Sequence, residues 1–166
     1  KGRAGEGRQA AWRSHRLAWG VPGEAPAAST SVAAGAQLLL GGHAPQGAGS
    51  FYPPTVLANT EPGMAVFDQE TFGPAAAIAI AKDDADAARL ANATPFGLSV
   101  SIWTGATSRG VALAKEITTG AAFINAVTAS DARLPFGGTK KSGYGRELAA
   151  AGVREFTNIR TYWANK

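Results

Sequence analysis

The chain of 166 residues contains no cysteine. This absence excludes a disulfide scaffold, a zinc site built on thiolates and a cysteine nucleophile within the chain. Histidine is almost as scarce, because His15 and His43 are the only two and stand far apart in the sequence. Two isolated histidines are too few to form a metal cluster, so we expect no metal site.

Long apolar runs are missing as well. No run approaches the roughly 20 residues that a helix needs to span a bilayer, and the N-terminus lacks the basic and then apolar pattern of a signal peptide. We therefore expect no contact with a membrane and a cytoplasmic location. The single methionine is Met64 and the chain begins at Lys1, so we expect it to be part of a longer protein.

Charged residues make up only 17% of the chain and apolar residues 45%, a balance typical of globular proteins. The formal net charge is +4, of which residues 1–28 contribute +3 and residues 29–166 only +1. Because most of the chain is nearly neutral, the basic balance is weak support for nucleic-acid binding, and we expect no nucleic-acid partner.

Residues 1–28 form an atypical basic leader that is rich in glycine, alanine and arginine and shows no sustained period. Trp12 and Trp19 lie among its arginines, so one interpretation is an arm that stacks on nucleic acid. The other interpretation is a disordered or out-of-frame leader, and the composition favours it.

From Ser29 onward, short apolar runs alternate with helical patterns. Gly35 is the expected C-terminal cap of a first helix, and Asp83 and Asp84 open a later helix that extends to residue 93. Further helices are predicted at 107–117 and 147–156, and strands or extended segments at 37–40, 51–57, 75–81, 97–104, 120–126 and 158–163. This order predicts an α/β fold with a mainly parallel sheet and flanking helices.

Three of these segments carry a prediction about burial or about which side chains share a face. The apolar run at 75–81 is expected to be a buried strand. A period of two in 97–104 and of 3.6 in 107–117 predicts two apolar faces. The first face consists of Leu98, Val100 and Ile102, and the second of Val111, Leu113, Ala114 and Ile117.

The loop before the strand at 75–81 holds an acid, an aromatic residue and a Gly-Pro pair, within residues 68–74. Loops at a sheet edge are places where α/β folds collect ligands. The Glu70 carboxylate can accept both hydroxyl hydrogens of a ribose diol, and Phe72 can lie against a flat ring. Spacing by itself favours a plainer interpretation, in which Glu70 is a surface acid and Phe72 belongs to the core.

Residues 130–147 hold four glycines within nine positions, after the strand at 120–126. This density predicts a backbone that is pressed closely against another group. The alternative is an irregular loop that serves only packing.

Together, the two segments resemble the aldehyde dehydrogenase family. Residues 70–74 have the family's E-x-F-G-P pattern, and residues 135–147 have its P-F-G-G-x-K-x-S-G-x-G-R-E signature in full. Weaker likenesses follow in the family's order at 51–57, 90–98 and 120–125. The likeness covers about residues 29–163, and residues 130–138 are most similar to bacterial succinate-semialdehyde dehydrogenases.

The resemblance implies a role for four residues. Glu70 would hold the nicotinamide ribose of NAD or NADP, with Phe72 beside the nicotinamide. Ser130 would donate its hydroxyl to the substrate carboxylate in a charge-assisted hydrogen bond, and Phe136 would line the substrate pocket.

Two charged neighbours of Ser130 would act differently on an anionic substrate. Asp131 would repel it, so we expect the Asp131 side chain to turn away. Arg133 could attract a dicarboxylate-like aldehyde or be an ordinary surface cation, and the sequence leaves both open.

Catalysis in the family uses a cysteine thiolate to attack the aldehyde and a glutamate base to hydrolyse the resulting thioester. The resemblance places both groups, and the cofactor-binding fold, upstream of the matched segment. Residues 29–157 would then be the C-terminal part of the catalytic domain, with no catalytic residue of its own. Residues 158–166 would be a strand used to form a homo-oligomer.

The function implied is the oxidation of an aldehyde, taken to be succinate semialdehyde, to its carboxylic acid with NAD or NADP. This chain would be an inactive piece of that enzyme. The alternative is a non-catalytic interaction module, whose terminal strand adds to a partner's sheet. Either way, an isolated part would expose apolar surface, and we expect it to be poorly soluble.

Overall fold

The computed structural model describes residues 24–46 and 51–166, so most of the basic leader lies outside the described residues. The helices are α1 (Glu24–Ala33), α2 (Ala65–Asp68), α3 (Asp84–Ala93), α4 (Thr107–Glu116) and α5 (Ala149–Glu155). The strands are β1 (Gln37–Leu40), β2 (Thr55–Ala58), β3 (Ala75–Ala77), β4 (Phe96–Gly97), β5 (Ser99–Ile102), β6 (Ala121–Ile124) and β7 (Thr139–Lys140). These elements form two compact units, the first ending at Ala79 and the second spanning Ile80–Lys166.

The first unit is built on a three-stranded sheet in the order β1-β2-β3. β1 and β2 are antiparallel, whereas β2 and β3 are parallel, with Thr55 opposite Ala75. The connection between β2 and β3 contains α2, as a parallel pair requires a crossover. The buried Ser31 hydroxyl accepts a hydrogen bond from the backbone amide of Val66, 2.9 Å away, and thereby joins α1 to α2.

Helix α1 ends where the glycine predicts. Gly35 has a φ of +109°, and its amide donates to the carbonyl oxygen of Val32 at 3.0 Å. The helix begins at Glu24, within the stretch that the sequence assigns to the leader, and the small side chains of its second turn are buried. The core of the unit consists of Ala28, Ala36, Leu57 and Val66, with Met64 packed against them.

The second unit contains two separate two-stranded sheets, β5-β6 and β4-β7. β5 and β6 are parallel, and α4 forms the crossover between them. β4 and β7 are antiparallel, with Phe96 opposite Lys140. Asp83 caps α3, because its carboxylate accepts the Asp86 amide at 2.8 Å. The core consists of Ala88, Ile102 and Ile117, and Ala91, Val100, Leu113, Ala114 and Ile124 pack against it.

The α/β class is confirmed, but the sheet differs from the prediction. Instead of one mainly parallel sheet, the described residues form three small sheets, with two parallel and two antiparallel strand pairs. Each parallel pair has a helix in its connection. β1 and β2 have no helix between them in the described residues, and β7 follows β4 only after two further strands.

The burial prediction for residues 75–81 is wrong. β3 has only three residues, and beyond it Ile78 and Ile80 are 44% and 76% exposed, so this run is not a buried strand. Leu98 and Val111 are also exposed, although the patterns place them on apolar faces. A period determines which side chains share a face, whereas burial depends on what packs against that face.

Residues 158–166 are exposed and form no strand with the rest of the described chain. An oligomerisation strand at this place stays a prediction, because strand addition needs a partner. The longest helices that the structure describes have ten residues, and none combines the length and apolar character of a helix that crosses a bilayer.

Candidate functional site

The loop that contains Glu70 is tied at both ends to the first unit. The amide of Gln69 donates to the carbonyl of Ala65 at 2.9 Å, and the carbonyl of Pro74 accepts from the amide of Thr55 at 2.8 Å. The loop therefore lies at the amino ends of the parallel strands β2 and β3. Ligands of open α/β sheets usually lie beyond the carboxyl ends, so the general rule on sheet edges does not support a ligand site here.

Glu70 and Phe72 are both exposed on this loop, and Phe72 is exposed by 73%. The interpretation of Phe72 as a core residue is therefore wrong. The ion pairs within the described residues join Arg89 to Asp86, Arg109 to Asp84 and Arg133 to Asp131, and do not include Glu70. A carboxylate without an ion-pair partner among the described residues and an accessible ring are groups that fit a ribose diol and a flat nicotinamide.

Ser130 is exposed and directly precedes a tight turn in the second unit. The Leu134 amide donates to the carbonyl of Asp131 at 2.9 Å, which closes the turn. The Asp131 carboxylate accepts the Arg133 amide, also at 2.9 Å, as aspartates in turns often do. The turn is fastened to the start of α5, because the Ala149 amide donates to the carbonyl of Ala132 at 3.1 Å.

Asp131 and Arg133 form a two-point ion pair. Arg133 Nε lies 2.9 Å from Asp131 Oδ1, and Nη2 lies 2.6 Å from Oδ2. The hydrogen bonds from the guanidinium, and then that from the Arg133 amide, lower the pKa of Asp131. The same side-chain bond raises the pKa of Arg133. The Asp131 carboxylate is thus bound by a cation, and the Arg133 guanidinium has an acidic partner within its own turn.

Phe136 is half-buried and closes the glycine-rich segment into a loop. Its amide donates to the carbonyl of Glu147 at 2.9 Å, and the Glu147 amide donates back to the Phe136 carbonyl at 2.8 Å. Inside the loop, Arg146 Nη1 donates to the carbonyls of Gly138 and Gly145, each at 2.8 Å. The Arg146 guanidinium therefore serves the loop's own backbone.

The glycines of this segment allow backbone segments to touch. A Cβ on Gly120, just before β6, would overlap the carbonyl oxygen of Gly137, and a Cβ on Gly137 would overlap that of Gly145. The predicted close approach is confirmed, and the group approached is other backbone of the same unit. This finding agrees with the packing interpretation of the segment.

The segment is also anchored on α3 and β4. Lys140 Nζ donates to the carbonyls of Asn92 and Thr94, at 3.0 and 3.2 Å, where α3 ends. The Ser142 hydroxyl accepts the amide of Gly97 at 3.1 Å. Lys140 and Ser142, two side chains of the signature, therefore position the loop.

Sequence reasoning missed the part played by Asn92. Its Nδ2 donates to the carbonyl of Glu116 at 2.7 Å, and its Oδ1 accepts the amide of Thr118 at 2.8 Å. Asn92 thus links the end of α3 to the end of α4. Its place inside the weaker family likeness at 90–98 was the one signal that pointed to it.

An open groove of about 590 Å³ lies between α3 and α4, and its lining does not include Glu70, Phe72, Ser130 or Phe136. The Asp84–Arg109 ion pair lies on its wall, with Arg109 Nε 2.7 Å from Asp84 Oδ2. Within residues 24–46 and 51–166, no three acidic or histidine side chains lie together in a way that could hold a metal ion.

The four residues with an implied role occupy two loops, one in each unit. Glu70 and Phe72 share the loop before β3, and Ser130 and Phe136 lie on either side of the turn that precedes β7. All four are at least partly accessible. Their roles in binding remain predictions.

Comparison with known proteins places most of the chain in one family. The model of the aldehyde dehydrogenase family matches residues 27–162. The chain is 52% identical over 136 residues to the succinate semialdehyde dehydrogenase [NAD(P)+] Sad of Escherichia coli, covering 82% of this chain and 29% of that protein. It is 47% identical over 133 residues to the succinate-semialdehyde dehydrogenase [NADP(+)] of Mycobacterium leprae, covering 80% and 29%. The chain therefore spans less than a third of the length of these relatives.

Solved structures agree with the sequence comparison. The structure is similar to an NAD-dependent aldehyde dehydrogenase from Sinorhizobium meliloti, with a TM-score of 0.77 at 38% identity, over 82% of this chain and 27% of that one. It is also similar to a Mycobacterium tuberculosis aldehyde dehydrogenase complexed with NAD+, with a TM-score of 0.76 at 37% identity, over 82% and 28%. This protein chain belongs to the aldehyde dehydrogenase family.

Proposed function

We propose that this chain is the C-terminal part of an NAD(P)-dependent aldehyde dehydrogenase that oxidises succinate semialdehyde to succinate. The observation that carries the proposal is the complete signature at 135–147, folded as a closed loop shortly after the exposed Ser130. Relatives that are 45–52% identical to the chain are succinate-semialdehyde dehydrogenases, which supports the choice of substrate.

Substrate binding would use Ser130 and Phe136 of the second unit. The hydroxyl of Ser130 can donate to the carboxylate of succinate semialdehyde, and a donor to a charged acceptor gives a strong and directional bond. The backbone of Phe136 is held by the bridge to Glu147, and its half-buried ring can line the path of the aliphatic part. These two residues would orient the substrate without taking part in bond making.

Cofactor binding would use Glu70 and Phe72 of the first unit. When bound, the nicotinamide supplies the hydride acceptor for the oxidation. The Glu70 carboxylate can accept hydrogen bonds from both hydroxyls of the nicotinamide ribose, and Phe72 is accessible to a flat ring. Neither residue distinguishes NAD from NADP, because neither role involves the ribose that carries the 2′-phosphate.

The chain cannot perform the reaction by itself, because it has no cysteine to act as the nucleophile. We expect the nucleophile, the glutamate base and most of the cofactor fold to come from a preceding part of the enzyme. A test in an enzyme must therefore supply these parts from a relative.

The test is a chimera in which residues 27–162 of this chain replace the matching segment of the Escherichia coli relative. We expect the chimera to reduce NAD(P) with succinate semialdehyde and to show a lower KM for this aldehyde than for butanal, which lacks the carboxylate. The 166-residue chain should show no activity, and a chimera without the host's nucleophilic cysteine serves as the blank. A folded, cofactor-binding chimera that oxidises butanal but not succinate semialdehyde would contradict the proposed substrate.

A specific observation favours the second candidate function, a non-catalytic interaction module. Large apolar side chains near the C-terminus are exposed, namely Phe156, Ile159, Tyr162 and Trp163. Such side chains are suited to a contact with another subunit. Size-exclusion chromatography of the chain mixed with the full-length Escherichia coli relative tests this function. Elution of the chain as a monomer, separate from the relative, would rule it out.

A further inference from the structure

Asp131 presents a difficulty for the proposed substrate. It follows directly after Ser130, the residue that would bind the carboxylate of succinate semialdehyde. Two carboxylates that lie within a few residues of each other repel, and in water at a separation of about 8 Å the repulsion weakens binding by a factor of about two. A free aspartate at this position would therefore select against the substrate.

The turn nevertheless needs an acceptor at this position. Asp131 Oδ1 accepts the Arg133 amide at 2.9 Å and so shapes the turn that follows Ser130. The carbonyl of the next residue, Ala132, accepts the amide of Ala149 at the start of α5. The acceptor oxygen at residue 131 has a structural role, whereas the charge that it carries does not.

Arg133 supplies the opposite charge within the same turn. Its Nε and Nη2 bind the two oxygens of Asp131 at 2.9 and 2.6 Å, so the pair has no net charge. The Arg133 side chain is 86% exposed, and exposed ion pairs contribute little to stability. The consequence of this pair for the site is thus electrostatic.

We propose that Arg133 determines specificity by masking Asp131, which allows the loop that carries Ser130 to accept an aldehyde bearing a carboxylate. This inference rests on the proposed function, since it presumes an anionic substrate. Arg133 acts through Asp131 and is a positioning residue, not a catalytic one. The other interpretation, direct attraction of the substrate by Arg133, predicts no recovery in a double variant that lacks both charges.

The test uses the chimera with succinate semialdehyde and butanal as paired substrates. In Arg133→Gln we expect the KM for succinate semialdehyde to rise about twofold, with kcat and the KM for butanal unchanged. The rise should shrink at high salt, because salt screens exposed charges. Arg133→Lys should restore part of the affinity. The double variant Asp131→Asn with Arg133→Gln should restore it fully, because the asparagine keeps the acceptor oxygen and removes the charge.

Arg89→Gln is the matched control. Arg89, whose side chain is exposed, forms an ion pair with Asp86 within α3, at 2.8 Å from Nε to Oδ1, and has no proposed role in binding. A KM that rises equally for both aldehydes in Arg133→Gln would overturn the inference in favour of a structural role. So would failure of the double variant to recover, which would instead support direct attraction by Arg133. If the unmutated chimera binds cofactor and oxidises butanal but not succinate semialdehyde, the proposed function itself fails.

Discussion

The Lys140 ammonium donates a hydrogen bond to the carbonyl oxygen of Asn92, 3.0 Å away, at the C-terminal end of α3. The last carbonyls of a helix have no partner within the helix and carry the negative end of its dipole. A cation at this position is therefore favourable. Through this contact, the loop that follows Ser130 is held to a helix of the second unit.

The contact predicts a loss of stability in Lys140→Met. The variant removes the cation and its two hydrogen bonds, for which we expect a cost of about 1 kcal/mol. In the chimera, the temperature of half-inactivation after a fixed incubation should fall by a few degrees. Lys141→Met is the control. The contact of Lys141 is made by its backbone amide, which donates to the carbonyl of Pro95 at 3.0 Å and is kept in the variant. Equal shifts for the two variants would contradict the role of the Lys140 side chain.

Gly120→Ala should be strongly destabilising. The new methyl group would overlap the carbonyl oxygen of Gly137. Because the overlapped atom belongs to the backbone, the overlap can be relieved only if the loop itself moves. We expect a cost of about 2 kcal/mol or more, seen as early heat inactivation and faster proteolysis of the chimera. Gly105→Ala is the matched control, since nothing lies within 4 Å of its added Cβ. Normal stability of Gly120→Ala would show that the close approach is not required.

Glu70→Gln should weaken the binding of the cofactor and leave the binding of the aldehyde unchanged. Loss of a charged acceptor for the ribose hydroxyls should raise the KM for the nicotinamide cofactor about tenfold, with little change in the KM for succinate semialdehyde. Steady-state kinetics of the chimera at varied cofactor concentration measure this effect. Glu61→Gln, another exposed acid of the first unit, is the control. A rise in the aldehyde KM of the same size would argue against a role in ribose binding.

Ser130→Ala should weaken the binding of succinate semialdehyde but not that of butanal. Without the hydroxyl, the KM for succinate semialdehyde should rise about tenfold, whereas the KM for butanal should stay the same. Ser108→Ala, which removes an exposed hydroxyl from α4, should change neither value. Unchanged affinity of Ser130→Ala for succinate semialdehyde would remove Ser130 from the site and leave the role of the signature loop intact.

Stability at acid pH should depend on the pair between Asp84 and Arg109. The hydrogen bond from the Arg109 side chain lowers the pKa of Asp84 below its ordinary value of 3.8. A lowered pKa means that the stabilisation is present at pH values above 3.8 and is lost as the pH falls through the folded-state pKa.

In Asp84→Asn the pH-dependent stabilisation by the pair between residues 84 and 109 should disappear. The chimera that carries the variant should lose less stability than the unmutated chimera as the pH falls below 3.8, as measured by acid inactivation at fixed temperature. Glu155→Gln, in an exposed residue of α5, serves as the control and should behave like the unmutated chimera. Parallel acid profiles for Asp84→Asn and the unmutated chimera would contradict a contribution from this pair.

Local chemistry made several elements predictable. The Asp83 carboxylate starts α3, and the positive φ of Gly35 ends α1, because each signal acts within a few residues of the helix end. The strands β1, β5 and β6 were predicted from short apolar runs. The helix α2 and the two-residue strands β4 and β7 were missed, because segments of two to four residues are too short to carry a period.

Some features of the candidate site could likewise be predicted from the sequence, and others could not. The patterns at 70–74 and 135–147 identify the family and its implied residues from sequence, since a motif is a local property. The partner of Arg133 could not be read from its position, because a neighbouring cation and anion need not meet. The contacts of Lys140 with the end of α3 could not be predicted from sequence either, because their partners lie 46 and 48 residues away along the chain.

The sequence by itself thus determined the class of fold, the ends of its main helices, the absence of a cysteine nucleophile and the family signature. Tertiary structure decided that Phe72 is accessible, that Arg133 is paired with Asp131 and that glycines at 120 and 137 bring backbone into contact. The physical reason is the distance along the chain over which each kind of interaction acts. Capping, periodicity and composition act between residues close in sequence, whereas exposure and charge pairing depend on which side chains the folded chain brings together.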